Sequence, residues 1–470
     1  MPFVFYDTET TGSAPFYDQI LQFGAIRTDD DLKEIDRFEI RCRLQPHIVP
    51  SPGALAVTGM TIGQLTDPSL PSHYDMVRAI RDKLLAWSPA VIAGYNNLDF
   101  DEMLLRQALY QTLHSPYLTN TGGNSRADIL LLALALNQFV PDVLNFRMRL
   151  DGKPSFKLEL LASANGFDHQ HAHDALGDVE ATIHIAGLIR SRAREFWEHI
   201  IMLGGKASAV DYALAEPLRL YTEFHYNRPH HWIVSPIAVD PRHSGHVVSF
   251  DLAVNPDEVQ CLDDESLAKR IAVSPKPLRA IKASSCPVIL PWMRGEGLLD
   301  SFRLGEVELR RRAAVVHGDD AFQKRLLKAH SLAKLQYQPS PYIEDQIYDG
   351  FPSAADQSRM AEFQNLTWPA RVSLAKSFED PRLRQLADRL IYVENAGALD
   401  AATKVQFDRA IARRLLMPEK VPWLTLPGAI EEANLLLETV GGGDADRIRE
   451  LAEYLKARMS DAVAIAGHSQ

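Results

Sequence analysis

Cysteines, long apolar runs and targeting patterns are scarce or absent in this chain of 470 residues. The three cysteines, Cys42, Cys261 and Cys286, lie far apart and lack metal-type spacing. They exclude a disulfide framework and predict a reducing, cytoplasmic location. No apolar run approaches the roughly 18 residues that a membrane span requires. The stretch MPFVFYDTET contains no basic segment and no cleavable apolar segment, so we predict no secretion signal.

Basic residues are fewer than acidic ones, with 50 Lys and Arg against 61 Asp and Glu. The net charge is −11, which argues against nonspecific adhesion to nucleic acid through bulk charge. Residues 269–334 depart from this balance, with 14 Lys and Arg against 6 Asp and Glu. Such a basic segment on an acidic protein is either the footprint of a polyanion or a solvated helix surface. Charge alone does not separate these two interpretations.

The chain is long enough for two or three domains. Residues 1–192 show three successive strand patterns and then alternating helices and strands, which predict an α/β domain. Residues 193–340 show short strands separated by Pro, Gly and His, followed by basic helices, and predict a β-rich domain. Residues 341–470 are predicted to be helical, with breaks at PGAI and GGGD, and QPSPY before them is a predicted linker.

Two carboxylates follow the buried start of the first predicted strand, FVFYDTET. Asp7 and Glu9 lie on the same face as Phe3 and Phe5, because side chains alternate along a strand. A carboxylate at the end of a strand is more often a cap or a turn residue than part of a site. Burying such charges is costly unless basic partners, abnormal pKa values or cations compensate.

Two further acids interrupt apolar helical stripes. Asp101 shares a stripe with Leu104, Leu105 and Ala108, and Asp178 shares one with Ala181 and Ile185. Together with Asp7 and Glu9 they form a set of oxygen ligands, which favours a hard ion such as Mg²⁺ or Mn²⁺.

A histidine-rich stretch, HQHAHD, precedes the last of these acids. With Asp174 at the helix N-cap, His173 lies on the loop before the helix, exposed and available as a general base near neutral pH. The alternative is that the tract binds a softer metal.

The motifs DTETTG, GYNNLDFDE and HAHDALGD, in this order, resemble the DEDD superfamily of 3′→5′ exonucleases, in the subgroup with a histidine in the third motif. The resemblance places Asp7 and Glu9 in the first motif, Asp101 in the second, and His173 and Asp178 in the third. AVTGMT is similar to a family loop beside the 3′ end. NSRADIL, DGKPSFKLELLASANGF, SCPVIL and DQIYDGFPSAAD further resemble bacterial exodeoxyribonuclease I.

The resemblance implies three domains that close around single-stranded DNA in a C-shaped channel. These are a ribonuclease-H-like exonuclease domain at 1–192, a small β-barrel of the Src-homology-three type at 193–340 and a helical domain at 341–470. The family's Arg-rich run before a Pro corresponds here to LIYVENAGALD, which lacks the arginines. The resemblance therefore leaves a larger part of the phosphate grip to the basic segment 269–334.

The implied activity is hydrolysis of single-stranded DNA from the 3′ end to 5′-mononucleotides, in DNA repair and recombination, with two Mg²⁺ ions that Mn²⁺ can replace. Asp7, Glu9, Asp101 and Asp178 would hold the ions, and His173 would accept the proton of the attacking water. The predicted substrate contacts are Glu9, Lys157, Asn97, Arg126 and Tyr348.

Two other functions stay open as alternatives. One is a related exonuclease acting on RNA, and the other is a noncatalytic protein that binds single-stranded DNA or recruits partners. The resemblance also implies docking of the acidic tail of single-stranded DNA-binding protein, which the basic segment 269–334 could accept. We expect a monomer.

Overall fold

The computed structural model describes residues 1–168, 174–333 and 338–467. Within these residues the strands are β1 Phe3–Thr10, β2 Ile20–Thr28, β3 Glu34–Arg41, β4 Val91–Gly94, β5 Ser125–Asp128, β6 Arg219–His225, β7 Arg228–Asp240, β8 His243–Asp251, β9 Leu278–Lys282 and β10 Val288–Pro291.

The α-helices of the same residues are α1 Pro52–Thr58, α2 Ile62–Thr66, α3 His73–Trp87, α4 Asp101–Gln111, α5 Ile129–Phe139, α6 Leu158–Ala164, α7 Ala175–Arg192, α8 Arg194–Leu203, α9 Lys206–Leu214, α10 Pro256–Gln260, α11 Asp264–Ala272, α12 Gly305–His317, α13 Asp320–Ala333, α14 Ala354–Asn365, α15 Trp368–Ala375, α16 Pro381–Asn395, α17 Ala401–Leu416, α18 Leu426–Leu437 and α19 Gly442–Gly467. None of them combines the length and the apolarity that crossing a bilayer demands.

The first sheet has the order β3-β2-β1-β4-β5 and confirms the predicted α/β architecture. Strands β1, β2 and β3 pair antiparallel, whereas β4 and β5 run parallel to β1. Strand β1 is therefore central, with helices on both faces. One face packs Val4 and Tyr6 against α3 and α4, and the other packs Phe3 and Phe5 against α5, α7 and α8. Because both faces are covered, β1 is a continuous apolar run up to its carboxylates.

The second sheet, β10-β6-β7-β8-β9, is antiparallel throughout. One of its faces shares a core with α8 and α9, and the other packs against α11, α12 and α13. The strand patterns at 231–239 and 246–254 lie in β7 and β8. Strands β6 and β9 were not predicted, because polar and charged residues interrupt their apolar patterns.

The C-terminal part is helical, as expected, and packs on the α/β part through two apolar clusters. The predicted break at PGAI is wrong. These residues begin α18, because Thr425 caps the helix and Pro427 occupies its first turn, where a missing N–H costs nothing.

The C-terminal half of α4 is held by the segment that leads into this helical part. The amide of Gln107 donates to the carbonyl of Glu344 at 3.0 Å, and the hydroxyl of Tyr110 donates to the carbonyl of Ile343 at 3.4 Å. Arg389 of α16 donates to the side-chain oxygen of Gln111 at 3.1 Å. The helix that begins with Asp101 is therefore anchored at its far end by another part of the chain.

Candidate active site

Three predicted acids converge at the end of β1. Asp7, Glu9 and Asp178 each offer a carboxylate oxygen, and these oxygens all lie within 4.8 Å of one another. Within the described residues, Asp7 has no hydrogen bond or ion pair to a basic side chain. Glu9 is only 8% exposed. An all-oxygen set of this charge and spacing fits a hard divalent cation.

Asp178 reaches β1 because of a glycine on the neighbouring strand. Gly24 pairs directly with Asp7 in the β1–β2 register. A Cβ atom on Gly24 would lie 2.9 Å from both the carbonyl carbon of Ala175 and the amide nitrogen of Leu176. Only glycine therefore lets the first turn of α7 lie directly on the sheet at this point. That turn carries Asp178.

Asp101 lies at the start of α4, and its Oδ1 accepts hydrogen bonds from the backbone N–H of Thr8 at 3.1 Å and from the Thr8 hydroxyl at 2.5 Å. Thr8 thus ties the second motif to the strand of the first. Gly94, at the end of β4, makes room for the turn before α4, because a Cβ there would lie 2.7 Å from the Cβ of Asn97.

The pKa values of these carboxyls reflect their crowding. Burial, then the charges of Asp101, Asp178 and Glu9, hold the pKa of Asp7 well above its usual range. Burial, then the charge of Asp178, raises the pKa of Glu9 to about 8. Burial raises the pKa of Asp101 to about 7 although its hydrogen bonds to Thr8 oppose the shift. A cation at this position would favour the ionised forms of all these groups.

The N-cap of α7 is Asp174, as predicted, but its carboxylate does not cap the helix. Asp174 Oδ1 instead accepts from the guanidinium of Arg41 at 2.9 Å and from the amide of Gln22 at 2.9 Å. Arg41 lies close enough to lower the pKa of Glu9, which makes it a basic residue that folds back toward the cluster. His173, the predicted base, lies outside the described residues.

Another buried carboxylate, Glu102, lies next to Asp101 and was not predicted to matter. It is 2% exposed, and its Oε1 accepts from Arg106 at 2.7 Å, Thr119 at 2.5 Å and Arg126 at 3.0 Å. The hydroxyl of Tyr6 donates to its Oε2 at 3.3 Å. Glu102 therefore joins β1, α4 and β5.

Arg126, a predicted contact to DNA, is held by partners within the protein. Its guanidinium is 8% exposed, pairs with Glu102 and also donates to the carbonyl of Ser284 in the second sheet's region. Asn97, another predicted contact, is also buried, at 1% exposure. Sequence motifs located both residues near the site but could not show that they are buried.

Comparisons with known proteins agree with this geometry. Residues 4–186 match a family model described as Exonuclease, and residues 342–458 match one described as Exonuclease I C-terminal domain. Exodeoxyribonuclease I of Escherichia coli is 28% identical over 458 residues, which are 93% of each chain. The chain is therefore similar to exodeoxyribonuclease I along nearly its whole length.

Solved structures of exonuclease I have the same fold. Escherichia coli exonuclease I in complex with a dA16 oligonucleotide matches with a TM-score of 0.81 at 25% identity, over 97% of this chain and 99% of that chain. A moderately thermophilic exonuclease I from Methylocaldum szegediense matches with a TM-score of 0.81 at 26% identity, over the same shares. The agreement extends beyond the nuclease motifs to the second sheet and the C-terminal helices.

Two other residues predicted from the exodeoxyribonuclease I resemblance are accessible. The side chain of Lys157 is 73% exposed, at the N-cap of α6, and its ammonium lies 3.6 Å from Glu159. Tyr348 is 49% exposed and meets the ring of Phe16 edge-on at 6.4 Å. Both are free to meet a ligand in solution, although neither lies among the clustered carboxylates.

Asp128 is a site residue that the sequence analysis did not single out. It caps α5 and also accepts from the backbone N–H of Asn96 at 2.9 Å and of Leu98 at 3.3 Å, in the loop that leads to Asp101. Burial raises its pKa to about 6. An Asp before an apolar helix was a sufficient signal for the cap, but not for the loop contacts.

The basic segment of this exodeoxyribonuclease I relative is largely neutralised. Lys269 pairs with Glu265, Arg279 with Asp251 and Arg311 with Asp257. Further ion pairs involve Arg303, Arg310, Arg312, Arg325 and Lys328. The structure therefore favours the interpretation of a solvated helix surface over that of a phosphate-binding segment.

Proposed function

We propose that this chain is a 3′→5′ exonuclease that degrades single-stranded DNA to 5′-mononucleotides, in the repair and recombination of DNA in the cytoplasm. The observation that carries the proposal is the convergence of Asp7, Glu9 and Asp178 on one point, with Asp101 beside them. The similarity to exodeoxyribonuclease I over 93% of the chain supports the choice of substrate.

Asp7, Glu9, Asp101 and Asp178 would hold two divalent cations, Mg²⁺ with Mn²⁺ as a substitute. Bound there, such ions would activate the attacking water and neutralise charge on the leaving oxygen. The carboxylates would bind and orient the cations. Because their pKa values are raised, their protonation would depend on whether the cations are bound. His173 is proposed to take the proton of the water, since Asp174, one residue on, is fixed by Arg41 at the rim of the cluster.

Lys157 and Tyr348 remain proposed contacts to DNA, through a phosphate for the ammonium and a base for the ring. Glu9 would contact the terminal nucleotide as well as a metal. The second sheet is proposed to be a barrel of the Src-homology-three type, and the domain bounds 1–192, 193–340 and 341–470 are part of the same proposal.

The decisive experiment is hydrolysis of 5′-labelled single-stranded DNA with Mg²⁺. We expect a ladder that shortens from the 3′ end and disappears with EDTA, with a blocked 3′ end and in Asp7→Ala. Preferential degradation of a matched RNA would favour the exoribonuclease alternative. Binding without cleavage in both Mg²⁺ and Mn²⁺ would sink the nuclease proposal and leave a binding protein.

We further propose a monomer that docks the acidic tail of single-stranded DNA-binding protein. Within the described part of segment 269–334, Lys276, Lys282, Arg294 and Lys324 are exposed and form no ion pair, so the docking would depend on them. A tail peptide that fails to retain the protein in a pull-down would remove this part of the proposal.

A further inference from the structure

Two histidines and a glutamate share one face of the hairpin that β6 and β7 form. Glu223 and His225 lie two positions apart on β6, so their side chains project to the same side. In the register of the hairpin, Glu223 pairs with His230 of β7. Residues that are directly opposite in an antiparallel pair also share a face, with Cβ atoms about 4.5–5.5 Å apart. The three side chains are therefore neighbours on one surface.

The turn of the hairpin fixes this register. Tyr226 and Asn227 connect the two strands and have φ angles of 51° and 60°. Two left-handed residues in a two-residue loop are typical of a type I′ turn, whose geometry sets the pairing of the strands that it joins. A slip of one residue would move His230 to the other face of the sheet. The turn therefore keeps His230 opposite Glu223.

Two separations within this group suit a tetrahedral metal ion. His225 Nε2 lies 3.3 Å from Glu223 Oε2. Two ligand atoms that are each about 2.0–2.1 Å from one zinc ion lie about 3.3–3.4 Å apart at the tetrahedral angle. The ring centroids of His225 and His230 are 5.3 Å apart. With the same bond lengths, two imidazoles that bind one tetrahedral ion have centroids about 5.2 Å apart.

Both histidines are accessible to an ion from solvent. The side chain of His225 is 58% exposed, and His230 is exposed as well. In the described part of the chain His230 forms no hydrogen bond, and its ring lies nearly parallel to that of Trp232 with the centroids 6.2 Å apart. The His230 ring is therefore free to turn one nitrogen toward the point between His225 and Glu223. Because the face is open, water can fill a fourth ligand position.

The carboxylate of Glu223 is already oriented for such a site. The hydroxyl of Tyr221 donates to Glu223 Oε1 at 2.6 Å. Tyr221 is 3% exposed, so its own position is fixed by packing. The other oxygen, Oε2, is the one that lies near His225. Carboxylates that bind metal ions are commonly held by an outer hydrogen bond of this kind.

The chemistry of this group differs from that of the carboxylates at the end of β1. An all-oxygen set favours a hard ion such as Mg²⁺, whereas two imidazoles favour Zn²⁺. Two histidines and a glutamate, with water in the fourth position, form a ligand set that zinc proteins use. The opposing charge on the same face is Arg228, which is exposed and opposite His225. A single exposed histidine is an ordinary surface residue, but here spacing, register and an oriented carboxylate coincide.

We propose that Glu223, His225 and His230 bind one Zn²⁺ ion, with water as the fourth ligand, and that the ion cross-links β6 to β7. The site is separate from the carboxylates at the end of β1. It does not depend on the proposed nuclease function, since its ligands come from the second sheet.

The first test is a titration of the full chain with Co²⁺, with Mg²⁺ in excess to occupy the carboxylates of β1. Tetrahedral Co²⁺ absorbs visible light far more strongly than Co²⁺ with six oxygen ligands. We expect a tetrahedral spectrum that saturates at one ion per chain and is abolished by Zn²⁺. Tyr221→Phe should weaken binding about tenfold, as for the loss of an outer hydrogen bond. His225→Asn and His230→Asn remove ligands and should weaken it more than about a hundredfold.

The matched control is His231→Asn. His231 is adjacent to His230 on β7 but projects to the other face, where its Nδ1 meets the hydroxyl of Thr222 at 2.9 Å. Asparagine keeps a polar group near the position of that nitrogen. We expect the spectrum to be unchanged in His231→Asn. It should also be unchanged in Asp7→Asn, which removes a carboxylate of the other site.

The second test locates the ion by amide hydrogen exchange. Zn²⁺ should slow exchange in residues 219–234 of the unaltered chain and of His231→Asn, because the ion ties the two strands together. It should leave exchange in this segment unchanged in His225→Asn and in His230→Asn. These measurements need no DNA and no turnover.

Several results would overturn the zinc site. One is a titration of the unaltered chain that yields no saturable tetrahedral spectrum, which would leave the contact of His225 with Glu223 as an ion pair only. A spectrum that persists in both His225→Asn and His230→Asn would place the ion elsewhere, for example on the stretch HQHAHD. Its loss in Asp7→Asn would place it at the carboxylates of β1. Equal losses in His230→Asn and His231→Asn would not trace the effect to one face.

Discussion

Buried carboxylates occupy two neighbouring regions of the α/β core, and the groups that surround them differ in charge. Glu102 is surrounded by donors, including the guanidinium groups of Arg106 and Arg126. Asp7, two residues before Glu9 on β1, faces mainly other carboxylates. The first arrangement satisfies a charge within the protein, whereas the second leaves charge to be satisfied by something bound. A buried carboxylate that is fully paired with basic groups therefore indicates a structural anchor. Buried carboxylates that crowd together without basic partners indicate a binding site.

The largest expected effect separates these two regions by activity. Asp7→Asn should lower kcat for single-stranded DNA on the order of a thousandfold, because several kcal/mol of stabilisation by bound cations are lost. The same variant should melt at a higher temperature than the unaltered chain in EDTA, since one of the repelling charges is gone. Hydrolysis and thermal unfolding of the same preparations test both statements. A variant that is inactive and also less stable in EDTA would contradict the comparison.

Glu102→Gln should have the converse effect on stability. Removing the charge of one partner of a buried ion pair costs about 3–5 kcal/mol, since Arg106 and Arg126 would be left without their counter-charge. Denaturant unfolding measures this loss. Glu34→Gln on β3 is the control, because its ion pair with Arg37 is exposed and worth little. Equal stability of the two variants would show that Glu102 is not an anchor.

Gly24→Ala tests whether the approach of α7 assembles the carboxylates. The added Cβ would displace the first turn of the helix, and a displacement of about 1 Å can cost about a hundredfold in rate. Gly187→Ala is the matched control in the same helix, because a Cβ there meets open space and should stabilise the helix by up to about 1 kcal/mol. Full activity in Gly24→Ala would separate the site from this contact.

The smallest expected effect is a dependence of stability on pH that disappears with Mg²⁺. Because the folded-state pKa of Glu9 is raised from 4.5 to about 8, the folded chain holds protons that the unfolded chain has lost. Stability in EDTA should therefore fall as pH rises through about 6.5 to 8.5 and should level off above that range. Buried His73, with its pKa lowered to about 4, acts in the opposite sense only below its ordinary value of 6.5.

Thermal unfolding across this pH range, with EDTA and with Mg²⁺, measures the effect. Glu9→Gln should flatten the curve in EDTA. A melting temperature that rises with pH in EDTA would contradict the assignment of Glu9.

The acids of the cluster were predictable because each breaks an apolar pattern, and patterns are local. The alternation of side chains along β1 identifies Asp7 and Glu9 as acids on an apolar face. Helical spacing identifies Asp101 and Asp178 in the same way. Glu102 was not predictable, because its partner Arg126 lies on β5, distant in sequence, and a glutamate beside an apolar stripe resembles a surface residue. For the same reason the motif gave the position of Arg126 but not its partner Glu102.

The basic segment shows a similar limit of sequence patterns. A count over residues 269–334 omits Asp251, Asp257, Asp264 and Glu265, which precede the segment and fold back to pair with its cations. The net charge of a sequence segment predicts its binding properties only when the ion-pair partners of its residues lie within the same segment. The fold decides whether they do.

Helix α4 bears on how this chain can be divided. Its first residue, Asp101, belongs to the carboxylate site, whereas Gln107, Tyr110 and Gln111 hold the start of the helical part. A fragment that ends near residue 192 would leave Tyr110 and its apolar neighbours facing water. It would also release the far end of the helix that positions Asp101. The motifs all lie in the first part of the chain, yet the helix that carries Asp101 is held at its far end by the C-terminal part.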